Sequence, residues 1–136
     1  MKREIKFRVW DKKLNCWLDK EEIYFEQTSD GNFEYCQQKL DSYHGYEIQQ
    51  YTGLKDKNGK EIYEGDVVKT VPEHMLYKII DISEYDNGII MYYRGYFGVS
   101  QSMIGFSFLS DFILESGNPI ALEVIGNIFE NPELLK

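Results

Sequence analysis

Turn-forming pairs punctuate this chain at Asp30-Gly31, Asn58-Gly59 and Asn87-Gly88. Glycine takes positive φ freely and Asp and Asn nearly so, so such pairs between apolar runs signal hairpins. The segments between them are short, aromatic and β-branched. Little room is left for long helices. Aromatic residues reach 15%, with 11 Tyr, 8 Phe and 2 Trp against 3 Pro, a bias that suits strands.

Alternation places Ile5, Phe7 and Val9 on one side of a first strand and Lys6, Arg8 and Trp10 on the other. Lys6 and Arg8 there resemble the charges that protect a sheet edge. After Asp11-Lys12-Lys13, residues 14–18 read as the return strand of a hairpin. Further strands are expected at 23–25, 33–36, 46–51, 75–82 and 89–93, with 37–45 as a loop. In the strand at 46–51, Tyr46, Ile48 and Gln50 share a face. Gly95-Tyr96-Phe97-Gly98 reads as a strand bend or turn. Residues 110–117 fit one or two helical turns or an irregular strand equally well. Residues 122–129 read as a final strand with a glycine bulge or close approach at Gly126. Asn131-Pro132 opens a capped helical turn.

Glu64-Gly65-Asp66 is a tight turn feeding Val67-Val68, a common entry into SH3-like barrels. The expected class is therefore mainly β: a strand-rich, SH3-like small barrel with an N-terminal hairpin region and at most short helical turns. At 136 residues the chain fits one domain. Residues 1–50 form its N-terminal strand and hairpin region, and residues 51–136 its small-barrel region.

Formal net charge is −8, a sign that repels phosphate backbones at long range. Residues 1–20 nevertheless carry seven Lys or Arg against three acids. No run approaches the roughly 20 apolar residues of a membrane span. The charged start is unlike a secretory signal, so the expected compartment is the cytoplasm, with no membrane partner and with Cys16 and Cys36 reduced.

Catalytic and metal signatures are missing from the sequence. Cys16, Cys36, His44 and His74 lie 20, 8 and 30 residues apart, without the close ligand pairs of structural zinc sites. Asp56-Lys57-Asn58-Gly59 has a lysine where a calcium loop needs its next oxygen ligand, so it reads as a hairpin turn. Neither a P-loop nor a dinucleotide fingerprint occurs. No enzyme activity, cofactor or metal is expected.

Three blocks together resemble the YopX family of phage and prophage proteins. They are residues 3–11 (REIKFRVWD), residues 50–68 (QYTGLKDKNGKEIYEGDVV) and residues 123–135 (EVIGNIFENPELL). They follow the family's order and span nearly the whole chain. The resemblance implies a mobile-element origin and a strand-rich fold. It implies no established activity and carries over no catalytic residue.

Twenty-one aromatic rings exceed what a 16.1 kDa core hides. Tyr92, Tyr93, Tyr96 and Phe97 fall on both faces of their strands, as at protein interfaces. The run Ile89-Ile90-Met91-Tyr92-Tyr93 is uncharged, which points to burial in a core or an interface. The first expectation is thus a non-enzymatic protein-binding or assembly module, with a homo-oligomer or an unidentified host or phage protein as partner. The alternative is nucleic-acid contact through a basic patch of Lys6, Arg8, Lys12 and Lys13, with Trp10 and Trp17 for stacking; the net charge opposes it. A third option is that the acidic later region imitates DNA toward a host protein.

Overall fold

A computed structural model describes residues 4–19, 25–27, 33–35, 45–69, 87–102, 105–112 and 122–135. The fold is mainly β, with two antiparallel sheets, one of them a half-barrel, as the turn spacing requires. The strands are β1 (Phe7–Asp11), β2 (Cys16–Trp17), β3 (Phe25–Gln27), β4 (Phe33–Tyr35), β5 (Tyr46–Lys55), β6 (Glu61–Tyr63), β7 (Asp66–Lys69), β8 (Gly88–Tyr93), β9 (Tyr96–Gln101), β10 (Gly105–Phe108) and β11 (Glu123–Asn127). Short 3-10 turns follow at Leu109–Phe112 and Pro132–Leu135. The first of these makes residues 109–112 helical. The expected strand at 75–82, the Asp30-Gly31 turn, most of the 37–45 loop and residues 113–117 lie outside the described residues. Among the described residues no helix is long and apolar enough to cross a membrane.

Two compact units emerge, one of Lys6–Gln50 and one of Tyr51–Lys136 with the first residues of the chain. In the first, β1 pairs antiparallel with both β2 and β5. β2 flanks β1 at Trp10 and Asp11, while Arg8 is engaged with Gln49 and Trp17 rather than left as a free edge charge. The Asp11 carboxylate accepts the amides of Lys13 (2.8 Å) and Leu14 (2.9 Å), which turns the chain into β2. Gln49 is buried on β5 while Ile48 is exposed. Tyr46, Ile48 and Gln50 share a face as the alternation requires, and the buried positions, Gln49 and Tyr51, belong to the other. Gln49 takes the inner position because its amide oxygen accepts two bonds from Arg8. β3 and β4 form a separate antiparallel pair.

The second unit holds the five-stranded sheet, in the order β10-β9-β8-β7-β11. Its apolar core joins Ile62, Val68, Ile90, Val99, Leu109, Phe112, Leu122 and Val124. Two buried aspartates set the frame. At the β5–β6 loop, Asp56 Oδ1 accepts the amides of Asn58 (2.8 Å) and Lys60 (2.9 Å), and Oδ2 accepts that of Val124 (3.0 Å) on β11. The loop is a three-residue turn, closed by Asp56 N–H donating to the Lys60 carbonyl, with Gly59 at φ 82°. The hairpin turn expected at Asn58-Gly59 is therefore present, in its three-residue form with glycine in the left-handed position. Asp66 Oδ2 accepts the Tyr63 amide (2.8 Å) and Oδ1 accepts from Asn127 Nδ2 (3.3 Å).

β11 shifts register between Val124 and Gly126, the bulge expected there. The close approach is also present: a Cβ on Gly126 would lie 2.6 Å from Asn131 Oδ1 and 2.7 Å from Leu134 Cδ1. Asn131 does not cap its own turn through Oδ1; that atom accepts the Asn127 amide at 3.2 Å. Neither Asn87 nor Gly88 takes the positive φ of a two-residue hairpin turn. Gly88 begins β8, where a Cβ would lie 2.3 Å from Val99 Cγ1, so packing and not turn geometry demands glycine.

Removing the Asp56 carboxylate leaves the buried Val124 amide without its acceptor. Asp56→Ala should therefore lower unfolding stability by about 3 kcal/mol, read as a fall in denaturant midpoint at unchanged m-value. Lys57→Ala, which removes only the exposed ion pair to Glu123, should cost under about 1 kcal/mol.

Candidate interaction surface

β8 and β9 pair in the register Ile90↔Val99, Met91↔Gly98, Tyr92↔Phe97 and Tyr93↔Tyr96. Side chains alternate across a strand, so Ile90 and Val99 face the core. Met91, Tyr93, Tyr96, Gly98 and Ser100 stand on the opposite face. β10 adds Phe106 and Phe108 to that outer face, opposite Ser100 and Gly98. The rings form a connected group: Tyr93–Phe106 at 5.5 Å, Phe106–Phe108 at 5.7 Å and Tyr96–Phe108 at 5.4 Å between centroids.

Gly98 makes this possible. A Cβ there would lie 2.2 Å from Phe106 Cζ, so the phenyl ring rests directly on the β9 backbone. Tyr92 and Phe97 make an edge contact at 5.1 Å on the other face. Phe97 is half-buried and packs on the core, whereas Tyr92 is 54% exposed, Tyr93 50% and Tyr96 61%. An open cleft of about 470 Å³ adjoins the rings, lined by Thr52 and Leu54 of β5, Tyr96 and Phe97, and Phe108-Leu109-Ser110.

The structure thus brings Tyr93 and Tyr96 together on one face, sets Tyr92 and Phe97 on the other, and adds Phe106 and Phe108. The sequence signal for those two was their period of two around Ser107, with glycines at 98 and 105. The contribution of β5 to the cleft left no local signal.

The basic candidates are dispersed differently. Arg8 bonds Gln49 at 2.9 and 3.0 Å and lies 4.3 Å above the Trp17 ring, whose neighbour Trp10 meets it edge-on at 4.9 Å. Lys12 is ion-paired with Glu47. Lys6 is half-buried and Lys13 is exposed. No group of three or more His, Cys, Asp or Glu side chains among the described residues is placed to hold a metal ion.

The family model described as YopX protein matches residues 6–136. The chain belongs to the YopX family. A crystal structure of protein EF1440 from Enterococcus faecalis is similar at 29% identity and TM-score 0.61, over 99% of this chain and 100% of that one. The crystal structure of YopX from Bacillus subtilis shares the fold at 23% identity and TM-score 0.57, over 96% and 95%. No curated protein matches.

Within this YopX fold, two of the sequence blocks that carry the resemblance meet in space. Residues 50–68 supply Asp56, Gly65 and Asp66; residues 123–135 supply Asn127 and Asn131. Gly65 N–H donates to the Ile90 carbonyl and its own carbonyl accepts from Ile128, both at 2.9 Å. These polar residues satisfy backbone and each other, so the blocks are architectural.

Gly98→Ala should displace Phe106 from the β9 backbone. The expected cost is about 1–3 kcal/mol, with chemical-shift changes in an aromatic NMR spectrum confined to Tyr93, Phe106 and Phe108. An unchanged melting temperature and unchanged ring shifts would contradict the placement of that ring.

Proposed function

We propose that this chain is a non-enzymatic protein-binding or assembly module of phage or prophage origin, acting in the host cytoplasm through the aromatic face of β8–β10. One observation carries the reading. Of the nine large apolar or aromatic side chains exposed among the described residues, four share the outer face of β8–β10: Met91, Tyr93, Tyr96 and Phe108. Soluble monomers seldom gather such residues in one patch, and patches of this kind mark interaction sites. Tyrosine suits the role, offering a large rigid contact with a polar tip. The mobile-element origin rests on the family resemblance.

Nucleic-acid binding through the N-terminal hairpin draws less support. Arg8 and Lys12 already have protein partners, and the chain is acidic overall. Imitation of DNA by the acidic region is also weaker: Asp66 is buried in the frame, Glu123 pairs with Lys57 at 2.9 Å and Glu61 accepts from the Tyr63 hydroxyl at 2.9 Å.

Tyr93→Glu places a charge at the centre of the face without entering the core. The expected outcome is loss of self-association or of partner binding, seen as a reduced mass by light scattering at high protein concentration, with an unchanged melting curve. Assemblies unaffected by both Tyr93→Glu and Phe108→Glu would place the interface elsewhere. Labelled single- and double-stranded DNA should show no saturable binding at roughly 50 mM salt, where electrostatic affinity is strongest.

A further inference from the structure

The turn between β8 and β9 breaks a local rule. Tyr93 pairs with Tyr96, so only Arg94 and Gly95 make the connection, at φ 51° and 90°. Two left-handed central residues define a type I′ turn, whose first position prefers Asn, Asp or Gly. An arginine Cβ is strained there. Strained residues that break local preference concentrate at functional sites.

The arginine also stands alone electrostatically. From Asn87 to Ser110 it is the only charged residue, in a chain of net charge −8. Its guanidinium lies 5.1 Å from the Tyr93 ring centroid, within cation–π range. That contact holds the group beside the aromatic face and leaves its N–H donors to other partners. Among the described residues no carboxylate pairs with it.

We propose that Arg94 is a pre-set anchor for a carboxylate, and that the occupant of the β8–β10 face is a partner-protein segment whose apolar side chains flank an Asp or Glu. The inference rests on the docking role argued above and gives its ligand a chemistry. Charge complementarity selects this occupant. The face offers an uncharged aromatic plane and one cation whose planar fork matches a carboxylate. A nucleic acid would gain one phosphate contact against a repelling protein. A second copy meeting through the same face would bring another Arg94 and no acid from residues 87–110.

The test uses a displayed random peptide library selected on the full chain, on Arg94→Asn, on Arg94→Glu and on Tyr93→Glu. Asn is favoured at this turn position, so Arg94→Asn should melt no lower than the wild type while losing the charge. The wild type should enrich peptides with Asp or Glu between apolar residues. Arg94→Asn should keep the apolar preference and lose the acidic one, and Arg94→Glu should turn the preference to Lys or Arg. For one enriched peptide, Arg94→Asn should weaken binding about tenfold. Replacing the peptide's acid by its amide should cost the wild type the same factor and cost Arg94→Asn nothing more.

Enrichment of apolar peptides without an acid, or of the same acidic peptides by Arg94→Asn, overturns the anchor while the docking face stands. Acidic peptides that bind Tyr93→Glu as tightly as the wild type overturn both. A wild type that selects nothing, yet forms a dimer dissociated by Tyr93→Glu, assigns the face to a second copy and also overturns the inference.

Discussion

The buried Asp56 carboxylate is the tie on which the second unit depends. One side chain organises its own turn and holds the Val124 amide 68 positions away in sequence. Without a charged acceptor, the loop amides and the β11 amide compete for weaker partners. Asp66 repeats the device one turn later, between Tyr63 and Asn127. A half-barrel lacks the closed ladder that satisfies every backbone group in a full barrel. Here buried side-chain oxygens take over part of that task where β6, β7 and β11 converge.

Placing the polar frame between β5, β6, β7 and β11 leaves the other side of the sheet open to different use. β8, β9 and β10 need only their inner face for the core: Ile90, Val99 and the Leu109–Phe112 turn complete it. Their outer face is released from packing duty. Gly98 then lets Phe106 rest against the backbone, and the neighbouring rings gather around it. The aromatic face and the polar frame occupy different strands, so each can change with limited effect on the other.

Much of this was legible in the residues. Turn pairs and alternation gave the class, and the Gly126 bulge was readable because a glycine inside an apolar run rarely has another purpose. The errors share a cause. Asn58-Gly59 does sit in the β5–β6 hairpin turn, but Asn87-Gly88 and Asn131 were read from local chemistry while their roles are set by distant atoms: Val99 for the first, Asn127 for the second. The same holds for β1, whose basic residues looked solvent-facing until Gln49 and Trp17 came alongside Arg8. Local preference identifies a turn residue; only pairing across the sheet decides what it is for. Arg94-Gly95 was hidden for the opposite reason, since arginine is not a residue the turn asks for.

The long reach between Asp56 and Val124 also bears on how such chains diverge. Loop-closure entropy grows only logarithmically, so doubling the connecting length costs about 0.6 kcal/mol. Chain between the two framing blocks can therefore lengthen, shorten or be replaced at small thermodynamic cost, provided the aspartate and the β11 amide still find each other. The toll falls on speed, because contacts so far apart in sequence form late. A frame of this type tolerates insertion and replacement in its interior segments, because the contact that holds it lies at their ends.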